Sequence, residues 1–287
     1  MANFPTIAIG LPFVHSSGLD ADAQAFIALS GITNATQIDA INNIYKDFKG
    51  VGANNTTYDF YSRLTAFWLF VGTTTANIKY NGKSPSESNT YNLAFSGTAP
   101  TINSNGCKFN GTNGFADTFV PQNIISNSAN GMSVYFRENT ARNEIQMGYL
   151  ENVTTYKATE IGMGYTSGIN TKFFGGNKFD QNFGATNYQL VGINGLIRLN
   201  RTTSNNYKVY RNGSETESLN ATAFNNTDTK TIVIGGERKS SDGGVQTYSN
   251  KTFCFADMMT SNSLSAAEEL VYYNCVQAFQ TALSRNV

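Results

Sequence analysis

The sequence predicts a mainly β fold, a two-sheet antiparallel sandwich with a small N-terminal α-helical leader and a C-terminal helix, on three observations. Short apolar runs recur along the chain, alternate with polar residues at a period of two, and stop at Gly, Asn or Ser. Aromatic residues make up 13% of the 287 residues, 20 Phe and 15 Tyr against one Trp, and flat bulky groups suit the filled faces of sheets. Helical spacing is confined to the leader and to the last stretch of the chain.

Composition narrows the function classes. Lys+Arg and Asp+Glu number 20 each and no basic block occurs, so binding nucleic acid by counterion release has no source. Residues 1–18, MANFPTIAIGLPFVHSSG, lack a basic n-region and are interrupted by Pro5, Gly10 and Pro12. Neither a signal peptide nor membrane insertion is expected. Cys107, Cys254 and Cys275 are odd in number, without paired spacing, and lie in apolar runs, which predicts buried free thiols.

The leader is assigned to residues 1–62. Residues 4–14 alternate as extended chain, but their prolines forbid a central strand. Asp20 then caps a short helix whose Ala23, Phe26 and Ile27 share a face and which Gly31 ends. Asn34 caps a second helix on which Ile38, Ile41, Ile44, Tyr45 and Phe48 keep helical spacing. A pair this small cannot bury its stripe alone, so it packs on the β body or on another chain. Ile38, Ile41, Tyr45 and Phe48 are therefore the leader's candidate partner interface. Residues 51–62, polar and turn-rich, are a linker.

The sandwich is assigned to residues 63–287. LTAFWLFV, residues 64–71, is the most apolar strand candidate, residues 80–88 (YNGKSPSES) are loop, and residues 91–95 are a strand. Residues 105–121, NGCKFNGTNGFADTFVP, are expected to form a β-hairpin: Cys107 and Phe109 on one strand, a turn at residues 111–114, and Phe115, Asp117 and Phe119 sharing a face on the return. Further strands are expected at residues 131–137, 144–150, 160–165, 169–174 and 188–199. NNYKVYRNGSE, residues 205–215, ends in an Asn-Gly turn, and TIVIGG, residues 231–236, is a buried strand stopped by two glycines. After a strand at residues 251–258, Ser265 and Glu268 form a capping box. The helix beyond carries a stripe of Leu270, Val271, Cys275, Ala278 and Ala282, leaving Tyr272, Val276, Phe279 and Leu283 as a second face for a partner.

In this order, the "kFnGtngfadt" run, the "yrNG" hairpin, "iviGG" and a strand followed by "LSAAEE" resemble the laminin-G-like, concanavalin A-like lectin jelly roll, in the version carried on bacteriophage virion proteins. The resemblance covers the chain from residue 63 onward. It implies a jelly roll on a particle assembled in the host cytoplasm, with other virion proteins as partners, a homo-oligomer such as a trimer, and host surface glycans within reach.

Chemistry is sparse. The single histidine, His15, lies in the leader, which leaves histidine-dependent hydrolysis and histidine-rich zinc sites without their residues. Glycosidases of this fold need paired carboxylates facing one cleft, and the Glu-x-Asp-x-(x)-Glu pattern that the family would carry is missing. The pairs Glu215 with Glu217 and Glu268 with Glu269 are read as solvated surface. Laminin-G-like domains also bind calcium, and Asp117, Asp242 and Asp257 are the residues that would serve. No dense Asp-x-Asp loop supports a site, so the metal is left unassigned and no cofactor is expected.

Sugar binding needs flat apolar faces beside amides. Residues 169–187, INTKFFGGNKFDQNFGATN, supply them on a stretch read as a loop, making Phe174, Asn177, Phe179, Asp180, Asn182 and Phe183 the candidate glycan site. The expectation is a non-enzymatic structural protein of a phage surface, a decoration or fibre that contacts host glycans. A purely architectural connector and a polysaccharide depolymerase are its rivals.

Overall fold

The computed structural model describes residues 18–138, 144–152, 157–165, 171–180, 194–220, 222–223 and 227–287. Two helices come first, α1 (Ala21–Ser30) and α2 (Ala35–Phe48), then β1 (Ala66–Trp68) and a one-turn helix α3 (Thr75–Ile78). β2 (Ala94–Ser96), β3 (Thr101–Asn103), β4 (Gly106–Lys108), β5 (Phe115–Pro121), β6 (Asn130–Phe136), β7 (Glu144–Asn152), β8 (Lys157–Tyr165) and β9 (Thr171–Asp180) follow. β10 (Gly195–Thr203), β11 (Asn206–Arg211), β12 (Ser214–Asn220), β13 (Thr231–Ile234), β14 (Glu237–Lys239), β15 (Val245–Gln246) and β16 (Thr252–Met259) lead to α4 (Ala266–Ala282).

The strands form two sheets. The first runs β12-β11-β10-β6-β16-β4-β3 with β1 on β16, and the second runs β15-β14-β7-β13-β5-β2 with β8 on β7 and β9 on β8. Period-two alternation sets what each face of the first sheet meets. Met132, Val134 and Phe136 of β6 and Ile197 and Leu199 of β10 point into the core between the sheets, where Met147, Ile161, Ile232 and Ile234 of the second sheet meet them. Their neighbours Tyr135 and Leu196 point the other way, into a second core filled by Phe26, Ile41, Ile44 and Phe48 of the first helices and by Tyr272 and Val276 of α4. The molecule is thus a β-sandwich with a helical layer over one sheet.

Caps act as the sequence implies. The Asp20 carboxylate accepts from the N–H groups of Asp22 and Ala23, the Asn34 amide from that of Gln37, and Ser265 with Glu268 closes the box on α4. At the β11–β12 turn, Asn212 and Gly213 take φ of 49° and 75°, as a two-residue primed turn requires.

Several expectations are corrected. Residues 105–121 do not form a hairpin: β4 pairs with β3 and β16 in the first sheet, while β5 pairs with β2 and β13 in the second. The turn between them is an arch from one sheet to the other, held by the Asn110 side chain, which accepts from the N–H groups of Thr112, Asn113 and Gly114. Local alternation cannot distinguish an arch from a hairpin, because both need a tight turn between apolar runs.

The expected partner interface is buried in the chain's own second core. Ile38, Ile41, Tyr45 and Phe48 of α2, and Tyr272, Val276 and Phe279 of α4, are each at most 3% exposed. The stripe on α4 is only partly the buried face: Cys275 is buried and Val271 packs against the second core, but Leu270 is left 50% exposed while Tyr272 stacks on Phe48 with ring centroids 5.1 Å apart. Aromatic bulk fills the gap over the sheet better than the aliphatic stripe does.

Candidate functional site

The site grows from residues 80–92, which leave the body after α3 and return at β2. Three asparagines fix this loop. Asn81, 1% exposed, accepts at Oδ1 from the N–H of Phe67 at 3.0 Å and from that of Lys83 at 2.9 Å. Asn89 donates to the carbonyls of Lys83 and Ser84 at 2.8 and 3.0 Å and accepts from the N–H of Tyr91 at 3.0 Å. Asn92 accepts from the N–H of Asn81 at 2.9 Å and donates to the carbonyl of Ser86 at 2.9 Å. Amides that serve the backbone in this way substitute for a sheet ladder and hold an irregular segment in one shape.

Beneath the loop, the backbone of Gly82 lies against the Phe67 ring, where a Cβ would come within 2.2 Å of it. The Gly82 carbonyl accepts from the Tyr45 hydroxyl at 2.8 Å. Trp68 donates its indole N–H to the Tyr91 carbonyl at 3.0 Å.

This framework walls a cleft of about 430 Å³ lined by Thr65, Asn81, Lys83, Ser84, Ser86, Ser88, Asn89, Thr90 and Tyr91. The volume is of small-molecule size. Among the described residues, the hydroxyls of Ser84, Ser86, Ser88, Thr90 and Tyr91 make no hydrogen bond to protein, while the three asparagines and the Tyr61 hydroxyl bond much of the loop backbone. Lys83 is the one charged side chain in the lining. Its ammonium donates to the Tyr61 carbonyl at 2.6 Å and sits 3.9 Å from the centroid of the Tyr61 ring. Burial, aided by Lys49, lowers the Lys83 pKa against the opposing pull of Asp59 and Asp22.

Sequence reasoning read residues 80–88 as loop and residues 91–95 as a strand, whereas the strand begins only at Ala94, and it missed the site. The signal was present in Asn81, Asn89 and Asn92 flanking a Ser-rich run, since Asn side chains can bond nearby backbone and hold a turn.

The residues expected to form the glycan site fall elsewhere. Phe174, Asn177, Phe179 and Asp180 belong to β9, a strand paired with β8, and so are not on a loop. Asn182 and Phe183 lie outside the described residues, as does His15. The three aspartates considered for calcium are apart and engaged by cations: Asp117 with Arg238 at 2.7 Å, Asp242 with Lys239 at 2.8 Å, and Asp257 with Arg198 at 2.8 Å. Among the described residues no group of three His, Cys, Asp or Glu side chains is placed to hold a metal ion. The calcium site therefore remains unassigned.

Of the carboxylate pairs read as surface, Glu215 pairs with Lys208, and Glu268 pairs with Arg63 while capping α4. Glu269 is a correction, being 2% exposed beneath α4 and 3.2 Å from Arg198. Its burial, reinforced by Asp257 and opposed by Arg198, pushes its pKa up to about 7.

No protein-family model and no curated protein matches the chain. Solved structures do match. The Trypanosoma rangeli sialidase in complex with 2,3-difluorosialic acid is similar at a TM-score of 0.51 and 13% identity, over 90% of this chain and 38% of that one. A mutant of that sialidase displaying trans-sialidase activity is similar at 0.51 and 15% identity, over 85% of this chain and 38% of that one. This chain thus spans under two fifths of their length, and at such identities the likeness is one of β-sandwich fold.

Proposed function

We propose that this chain is a non-enzymatic carbohydrate-binding β-sandwich of a bacteriophage particle surface, a decoration or fibre element that seats a host glycan in the cleft of residues 80–92. The observation that carries the reading is the lining itself: the hydroxyls of Ser84, Ser86, Ser88 and Thr90 with no protein partner, beside Tyr91, on a loop held by Asn81, Asn89 and Asn92. Free hydroxyls on a held backbone meet sugar hydroxyls with less protein ordering than a slack loop would need. No acid lines the cleft, whereas hydrolysis of a glycosidic bond uses a carboxylate pair, which favours binding over cleavage there. The phage setting rests on the order and wording of the sequence motifs, and on a polar surface rich in Asn, Thr, Ser and Gly with few charges.

The test is a glycan array and a host-cell pull-down with the full chain, compared with a variant carrying Ser86→Ala, Ser88→Ala and Tyr91→Phe. Retention of a saccharide by the natural chain and its loss in the variant is the expected result. Absence of binding at high protein concentration would instead favour an architectural role among virion proteins. Release of reducing ends from host polysaccharide would favour a depolymerase.

A further inference from the structure

Most lysines and arginines in the described part of the chain are matched by acids. Lys49 meets Asp20 and Asp22, Arg63 meets Glu268, Lys79 meets Glu87, and even the fully buried Lys251 meets Glu144. Lys83 forms no ion pair among the described residues. Its ammonium is instead held by a carbonyl and an aromatic face, both supplied by Tyr61. Tyr61 is itself fixed from the cleft side, where its hydroxyl accepts from the N–H of Ser84 at 3.0 Å, and from the helix side, where Lys49 lies 4.8 Å from its ring centroid. The cation is thus half-buried and held without a direct ion pair at the wall of a cleft lined by hydroxyls, with Asp59 and Asp22 acting on it only from farther off.

A carbonyl and a ring face orient an ammonium without cancelling its charge. No carboxylate in the lining competes for it. An incoming anion would find a donor already positioned and partly stripped of water, where charge-assisted hydrogen bonds are stronger than neutral ones. Neutral sugars would use the hydroxyls alone.

We infer that the cleft takes an acidic saccharide, a sugar bearing a carboxylate or sulfate, with the anion on the Lys83 ammonium and the ring hydroxyls on Ser84, Ser86, Ser88 and Thr90. This inference rests on the glycan-binding reading above and adds the class of ligand.

The test is calorimetric titration of the full chain with a glucuronate-containing oligosaccharide, its carboxyl-reduced counterpart and a sulfated oligosaccharide, repeated with Lys83→Gln and Lys83→Arg. Circular dichroism and Tm report whether each variant is folded. The expected result is binding of an acidic form about tenfold tighter than the reduced one, as a charged hydrogen bond implies, with the difference abolished in Lys83→Gln and kept in folded Lys83→Arg. Preference for the uronate over the sulfate, or the reverse, assigns the anion. Equal affinity for acidic and reduced forms, or an acidic preference that survives in folded Lys83→Gln, overturns the inference and leaves the sugar-binding reading standing. Failure of every saccharide, on the array as well as here, overturns both.

Discussion

The Tyr45 hydroxyl on α2 donates to the Gly82 carbonyl at 2.8 Å, joining two residues 37 positions apart in a buried hydrogen bond. Through it the leader helices support the floor of the cleft. Tyr45→Phe removes only the oxygen and leaves a carbonyl unsatisfied, so a loss of about 1 kcal/mol in stability is expected, with weaker saccharide binding. Gly82→Ala, which drives a methyl into the Phe67 ring, is expected to cost more and to abolish binding. Denaturant titration and the array assay check both. Unchanged binding in either folded variant would separate the helices from the cleft.

Phe48 tests the second core. Its ring stacks on Tyr272 and meets Phe67 and Phe255 edge-on, with centroids 5.5 and 6.1 Å away. Phe48→Ala is expected to destabilise the isolated chain by about 3–5 kcal/mol, the cost of emptying a packed aromatic site. A negligible change in chemical denaturation would mean that this face is covered by something other than its own chain.

Beneath α4, Arg198 is bound on both sides. Its guanidinium donates to Asp257 at 2.8 Å and to Glu269 at 3.2 Å, and its Cζ lies 4.7 Å from the Tyr272 ring centroid. Asp257 also accepts from the Ser133 hydroxyl. Asp257→Asn leaves Arg198 undercompensated in the interior and is expected to cost about 3–5 kcal/mol, whereas Glu269→Gln keeps an acceptor and costs little at neutral pH. Equal penalties in denaturant would contradict this division of roles.

The same cluster predicts a pH dependence. Glu269 holds its proton up to about pH 7 in the folded chain against an ordinary 4.5. Between these values the folded state binds more protons than the unfolded one, so the contribution is full below pH 4.5 and is lost as pH rises through 7, by up to about 3 kcal/mol. Tm measured from pH 5 to 8 is expected to carry this downward component in the natural chain and to lose it in Glu269→Gln. Matching slopes would refute it.

The three thiols are buried and free. Burial pushes Cys254 up to about 12 and raises Cys107 and Cys275 as well. A thiolate-seeking reagent is expected to leave all three unlabelled until denaturant is added. Rapid labelling of any one under native conditions would show that its covering layer opens.

Much of the fold was legible because it is written in local chemistry. The caps at Asp20, Asn34 and Ser265, the Asn212-Gly213 turn and the Gly-stopped strand at residues 231–234 each depend on residues within a few positions. What escaped depends on distant partners. Whether Cys107 and Phe115 lie on one sheet or two is decided by β16 and β13, more than 100 residues on. The outward turn of both Cys254 and Phe255 follows from a register shift against β6, which the run KTFCFADM does not reveal. The cleft was hidden for the same reason, since Phe67, Tyr45 and Tyr61 convert a polar loop into a rigid wall only once the helices are in place.

The most direct measurement is the change in backbone amide signals of the ¹⁵N-labelled full chain when the saccharide selected on the array is added. The account predicts shifts concentrated at Lys83, Ser84, Ser86, Ser88, Thr90 and Tyr91, with β9 residues such as Asn177 and Phe179 unmoved. Shifts centred on β9, with residues 83–91 silent, would contradict it.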